Sequence, residues 1–446
     1  MPGPSSLGPF PIQGIGLETW LVRFDKNGVC SSPDTRAALL AALAAKPDSP
    51  ILFFSHGWNN DFSDAVSLYQ RFLTRFQEVL QSNPLQGPAP IFIGITWPSI
   101  WLPSDSGPQL AGVGVAGAGQ RSETDVVTQE LLDILPTNTN WERLYQLIHA
   151  SQLSQSEARE LAGLLKPALR TGDAGALEAD ASEDKILETL NTLQASQGGA
   201  PARDNLDDIG TVGGAGDATP PGAAGFLSFL DPRWAVRLAS LYIMKDRAGQ
   251  VGANGVATLL HDIQQSTQAP LHMIGHSFGA KVMLSALAAQ AAGGPRARSL
   301  LLLQPAVSHL SFAQSVPGRP GPGGYRNVLD RVVNPIVATY SANDVPLHTI
   351  YHLALLRRGD LGELEIAATE TTAGNPPNAY AALGGYGPRG AGERLLDTIP
   401  GPGEAIDLAG RRIIGLDGSR ANRIDSHGGV ATPFTAWTLH TLMALP

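Results

Sequence analysis

Seven short runs of nearly uninterrupted apolar residues constrain this chain more than anything else in it. They are Trp20–Phe24 (WLVRF), Ile51–Ser55 (ILFFS), Ile91–Thr96 (IFIGIT), Leu271–Gly275 (LHMIG), Leu300–Gln304 (LLLLQ), Pro335–Tyr340 (PIVATY) and Arg412–Leu416 (RIIGL). All but the first read as strands covered on both faces, because a half-exposed strand would alternate apolar with polar residues. Helical patterns fall between them, at Asp34–Ala45, Asp61–Leu80, Asn254–Gln265, Ala280–Ala292 and Pro433–Leu445. Strand and helix in alternation predict an α/β fold with a doubly wound, mostly parallel sheet. Asp34 and Asp61 are expected to cap their helices, since a carboxylate there accepts a free first-turn N–H. With 446 residues, 43% of them hydrophobic, the chain has material for a sizeable core, in two domains or in one large decorated one.

The turn formers, 50 glycines and 34 prolines, gather in three excursions from this rhythm. The first, Leu102–Ala224, opens with AGVGVAGAG and closes with a Gly/Pro/Ala tract of linker composition. It carries helical pieces around Glu123–Leu135, Trp141–His149, Ser156–Arg170 and Asp184–Ala195. The second is PGRPGPGG at Pro317–Gly324, and the third runs from Gly359 to Gly410. Long stretches without regular structure usually serve a site. The expected organisation is one decorated core made of residues 1–101 and 226–446. A partly flexible cap or lid insertion at 102–225 and a long loop excursion at 359–410 decorate it.

Several function classes drop out on charge and composition. A net charge of −9 lacks the basic balance of a nucleic-acid binder. The single cysteine, Cys30, excludes a disulfide framework and a multi-cysteine zinc site, and reads as a bland thiol in a turn region. No apolar run approaches the roughly eighteen residues of a membrane span. The first residues, MPGPSSLGPFPIQG, have neither the basic start nor the apolar stretch of a signal peptide, so a cytoplasmic location is the default expectation. Histidines and carboxylates show no ligand spacing such as H-E-x-x-H, so neither a metal nor another cofactor is expected. Gly112–Gly117 fits G-x-G-x-x-G, but SDSGPQL stands where the dinucleotide motif needs a strand, so a hinge or lid base is the better reading.

The strongest chemical signal is Gly275-His276-Ser277-Phe278-Gly279, with LHMI before it and AKVMLSALAA after it. G-x-S-x-G alone is a loose pattern. Between a strand and a helix it describes a sharp turn that lifts a serine hydroxyl above the carboxyl edge of the sheet. The same turn aims the Phe278 N–H, at the helix N-terminus, toward a developing negative charge.

A serine hydroxyl needs a base, and the base an orienting acid. In an open sheet both belong just past the ends of later strands. Asp344 follows PIVATY, and His427 follows RIIGL ahead of the last helix. The order Ser277, Asp344, His427 is the one this motif class shows. His348 and His309 are rival bases near strand ends, and Asp417 and Asp425 are rival acids. His440, within an apolar helix, reads as a core histidine, and His276 as structural support.

A third element, Phe54-Ser55-His56-Gly57-Trp58-Asn59-Asn60, ends the second run. Here the Trp58 N–H is expected to be the second oxyanion donor, with Gly57 permitting close backbone approach and His56 bracing the loop. Asn59 and Trp97 complete the expected surroundings. Together these residues resemble the α/β-hydrolase superfamily of serine hydrolases. Within it the chain is most similar to a bacterial group of predicted esterases carrying an HGxNN turn, a WPS motif (Trp97-Pro98-Ser99) and a G/A-H-S-x-G elbow. The resemblance covers roughly Trp20–Pro98, Trp234–Tyr340 and the region of His427. It implies the doubly wound sheet, a Ser277–Asp344–His427 triad and acyl transfer to water.

The expected activity is therefore hydrolysis of a carboxylic ester, on a small-molecule or lipid-like acyl substrate. A peptidase, thioesterase or acyltransferase would use the same machinery. A non-catalytic binding protein on the same core is the rival of another class. Phe226–Met244, rich in large apolar residues, is expected to pack on the core, with an apolar wall facing acyl groups as the sharper alternative.

Overall fold

The computed structural model describes residues 8–58, 60–99, 135–170, 183–196, 230–291, 293–294, 296–317, 321–351 and 377–445. Among them eight strands form one sheet in which every neighbouring pair is parallel. In chain order they are β1 (Glu18–Arg23), β2 (Ile51–Ser55), β3 (Ile91–Thr96), β4 (Leu271–His276), β5 (Ser299–Leu303), β6 (Ile336–Tyr340), β7 (Arg394–Leu396) and β8 (Ile413–Asp417). Across the sheet the order is β1-β3-β2-β4-β5-β6-β8-β7. The seven predicted runs are β1 to β6 and β8.

β7 was not legible. Three residues, RLL, are too few for any alternation to show, and they lie inside the stretch expected to be loop. That excursion is structured where it is described, since it also holds a short helix at Leu383–Tyr386. Residues 359–376 lie outside the described residues.

Both faces of the sheet are apolar because successive strand residues feed opposite cores. In β2, Ile51 and Phe53 join one cluster, Leu52 and Phe54 the other. β5 divides in the same way, Leu300 and Leu302 from Leu301 and Leu303. Each such side chain stabilises the fold by about 1.5–3 kcal/mol on full burial.

The helices, in chain order, are α1 (Pro33–Ala45), α2 (Phe62–Ser82), α3 (Trp141–Ile148), α4 (Gln155–Arg170), α5 (Glu183–Ser196), α6 (Pro232–Gln250), α7 (Ala257–Ser266), α8 (Phe278–Ala288), α9 (Leu383–Tyr386) and α10 (Pro433–Ala444). α1, α6, α7 and α8 cover one face, and α2 and α10 the other. α2 buries Ala65, Leu68, Tyr69, Phe72, Leu73, Phe76 and Val79, the single stripe that helical spacing produces. Asp61 caps it as expected, accepting the Asp64 N–H at 2.8 Å while Asp64 accepts the Asp61 N–H at 3.0 Å. Asp34 is not a cap. Pro33, whose ring presets the helical φ and which lacks an N–H, takes the first helical position and leaves Asp34 inside the first turn.

Helices α3 to α5 occupy the described part of the 102–225 segment. Their Leu144, Leu147, Leu161, Leu165, Ile186 and Leu190 join the same cluster as Trp234, Leu238, Tyr242 and Met244 of α6. The packing role expected for the Phe226–Met244 stretch is thus what its described part shows. The Glu123–Leu135 helical piece apart from Leu135, the Gly-rich opening and the Gly/Pro/Ala tract lie outside the described residues. α6 runs on through a π-helical stretch, Val251–Val256, into α7. A Cβ on Gly252 would collide with Val282 O of α8, and one on Gly255 with Gly28 O, so the wide turn passes between two backbones. No helix among the described residues is long and apolar enough to cross a membrane.

From β2 the chain crosses to β3 on one side and then to β4 on the other. The carboxyl ends of β2 and β4 therefore open onto the crevice where such sheets hold their ligands.

Candidate active site

Ser277 occupies the single turn residue between β4 and α8, at φ 54° and ψ −124°. A side chain there costs on the order of 1–3 kcal/mol, so the surroundings must impose it. They do so through the backbone. The Ser277 N–H donates to Leu303 O at 3.1 Å, and Ser277 O accepts from the Ala280 and Ala306 N–H groups at 3.1 and 3.2 Å. The flanking glycines make room for three backbones to meet. A Cβ on Gly275 would fall 2.6 Å from Ala280 Cα, and one on Gly279 would collide with the carbonyl oxygens of Ser55 and His56.

The hydroxyl meets the expected base. His427 Nε2 lies 2.9 Å from Ser277 Oγ, and His427 Nδ1 lies 2.8 Å from Asp344 Oδ2. A carboxylate accepts only, so Nδ1 carries the proton and Nε2 is left to accept from Ser277. Asp344 is fully buried. Its Oδ1 accepts the Leu347 N–H at 3.0 Å, and its Oδ2 accepts a second donor, Gln304 Nε2, at 2.7 Å.

The rivals stand elsewhere. His348 stacks on Tyr386 with ring centroids 4.3 Å apart and donates from Nδ1 to Gly385 O. Asp417 accepts the Ser419 N–H, and Asp425 accepts the Ser426 hydroxyl. His440 stacks on Trp437 and donates from Nε2 to Asn83 O, while its buried Nδ1 has no hydrogen-bond partner among the described residues. His309 is buried beyond β5, and burial lowers its pKa to about 4.

The loop after β2 approaches Ser277 closely. A Cβ on Gly57 would fall 2.6 Å from Ser277 Cβ and 3.2 Å from Ser277 Oγ, so only glycine lets this backbone pass. The next residue is Trp58, whose ring lies 5.9 Å from that of Phe278. His56 braces the loop from below. Its Nδ1 donates to Gly57 O at 2.9 Å, its Nε2 accepts the Trp97 N–H at 3.3 Å, and its ring stacks on Trp97 at 11°. The Trp97 indole N–H returns a bond to His56 O at 3.2 Å. Trp97 is thus a buried brace. Ser99 ties the same two loops together, donating to Asn60 O at 2.8 Å and accepting the Asn60 N–H at 3.2 Å. Asn59 lies outside the described residues.

Burial holds His56 uncharged, with its pKa down to about 4, and pushes that of His276 to about 3. His276 Nε2 donates to His427 O at 2.9 Å, which pins the backbone of the base. Support for that residue was legible, but its target was not. Tyr69 and Gln304 escaped sequence reasoning as site residues, and Ser99 entered it only as part of the WPS motif, with no role attached. The Tyr69 hydroxyl accepts the His56 N–H at 3.1 Å and donates to Ile95 O at 2.5 Å. Its ring fits only because β3 has Gly94 there, where a Cβ would fall 2.7 Å away. In sequence it is one more member of the α2 apolar stripe.

Among the described residues no group of three or more histidines, cysteines, aspartates or glutamates is arranged to hold a metal ion. No protein-family model, curated protein or solved structure matches this chain.

Proposed function

We propose that this α/β protein is a serine hydrolase of the α/β-hydrolase kind that cleaves a carboxylic ester through an acyl-enzyme. The observation that carries the reading is the unbroken hydrogen-bonded line from Ser277 through His427 to Asp344, starting at a serine held at positive φ. Ser277 Oγ attacks the acyl carbon as its proton passes to His427 Nε2. The Trp58 and Phe278 N–H groups receive the oxyanion, a contribution of about 3–4 kcal/mol per donor in comparable sites. Collapse of the tetrahedral adduct expels the alcohol, which takes the proton from His427. A water, deprotonated by His427, then attacks the acyl-enzyme and releases the acid and Ser277. Asp344 holds the imidazole in the required tautomer and stabilises its cation.

A fluorophosphonate probe is expected to label Ser277, identified by peptide mass. Intact folded protein that stays unlabelled would sink the reading. Asp344→Asn is expected to lower ester turnover by about 10⁴-fold, because an amide facing Nδ1 favours the wrong tautomer. Asp417→Asn and Asp425→Asn are expected to leave turnover within a few-fold of the parent, and the reverse pattern would reassign the acid. Parallel assays with ester, thioester and amide substrates, with and without an alcohol acceptor, choose among the leaving groups this machinery accepts.

A further inference from the structure

Gln304 stands immediately after β5, and three features there run against stability. Its φ is 42°, in the left-handed region that residues with a Cβ avoid. Its side chain is completely buried although polar. Its Oε1 has no hydrogen-bond partner among the described residues. Buried acceptors are ordinarily paired, so an orphan calls for a reason.

Among the described residues the only partner its side-chain amide finds is Asp344 Oδ2, at 2.7 Å, the same oxygen that accepts from His427 Nδ1. The amide orientation is not ambiguous, since the reverse would set Oε1 against a carboxylate. The backbone position is imposed from two sides. Thr339 Oγ1 of β6 accepts the Gln304 N–H at 3.1 Å, and a Cβ on Gly384 would fall 2.5 Å from Gln304 C.

Without Gln304, and apart from His427 itself, the carboxylate is held among the described residues by Oδ1 alone, through Leu347 N–H. One tether leaves the carboxylate plane free to turn and to carry Oδ2 off the imidazole. A second donor on the other oxygen removes that freedom. We infer that Gln304 is a positioning residue of this site, whose amide locks the Asp344 carboxylate in the plane that engages His427. The inference rests on the serine-hydrolase reading, and it gives strand β5 a part in the site that the sequence pattern did not suggest.

The test compares Gln304→Met, similar in length but without the donor, with Gln304→Glu, similar in shape but ionisable. kcat and KM on a short-chain aryl ester, the rate of fluorophosphonate labelling and the thermal midpoint are measured for each. Gln304→Met is expected to lower kcat and the labelling rate together, by roughly 10- to 100-fold, with KM within about twofold. A protonated Gln304→Glu side chain donates to Asp344 as the amide does, whereas an ionised one repels it. Among the described residues the titratable groups hydrogen-bonded to that side chain are Asp344 and, through it, His427; His348 is turned onto Tyr386. Its activity relative to the parent is therefore expected to be highest at the acid end and to fall as pH rises, a change mere packing would not produce.

Parent-like kcat in both variants, or a flat activity ratio across pH for Gln304→Glu, would overturn the inference while leaving Ser277 labelling of the parent intact. If Gln304→Met does not fold, the Gln304→Glu profile decides alone. Parent protein that neither labels nor turns over ester would remove both the reading and the inference built on it.

Discussion

Exchange of Ser277 for alanine is expected to lower kcat on an aryl ester about a millionfold, the scale on which removal of a triad serine acts. Alanine keeps the Cβ at φ 54° and ψ −124°, so the backbone strain stays. Glycine enters that region freely. Ser277→Gly is therefore expected to be equally inactive and yet more stable than the parent by about 1 kcal/mol. The pair separates chemistry from strain, and urea-unfolding midpoints alongside kcat provide the check. Residual activity within tenfold of the parent in either variant would place the nucleophile elsewhere.

The second large effect is acid lability. His56, His272 and His309 are each held at about 4 by burial, and His276 at about 3, against about 6.5 for an unfolded histidine. A histidine whose folded pKa is depressed costs nothing above the unfolded value. As pH falls below it, the unfolded chain takes up a proton that the folded chain refuses, so stability is lost. By pH 5 each of the four contributes a loss of about 2 kcal/mol. Together they approach the whole stability of an ordinary domain, about 5–15 kcal/mol. Urea midpoints are expected to drop steeply between pH 6.5 and 4.5, with uptake of more than one proton on unfolding. Midpoints unchanged between pH 7 and pH 5 would contradict this.

What the residues disclosed in advance was whatever depends on local pattern. Six buried strands announce themselves as apolar runs, Asp61 as a cap, and the elbow as a serine between glycines at a strand end. The meeting of Asp344 and His427 with Ser277 was legible because an open sheet brings the ends of its strands to one edge. The supports were not, since their meaning lies in contacts across the sheet. Gln304 reads as the polar end of LLLLQ until β6 brings Asp344 beside it. Tyr69 reads as core until its hydroxyl is seen between two backbone groups. The Asp34 cap failed because Pro33 had the stronger claim to the first helical position, and β7 was simply too short.

Ser277 and His427, the proposed nucleophile and base, are 150 positions apart, and Asp344 is 83 positions before His427. No fragment that lacks β8 and the loop after it can bring them together. During synthesis Ser277 leaves the ribosome long before His427 does, and until then it is an ordinary alcohol in the turn after a hydrophobic strand. On the proposed reading the reactive group thus comes into being with the closing of the chain, and a molecule that stops short of the native state carries no nucleophile to misuse.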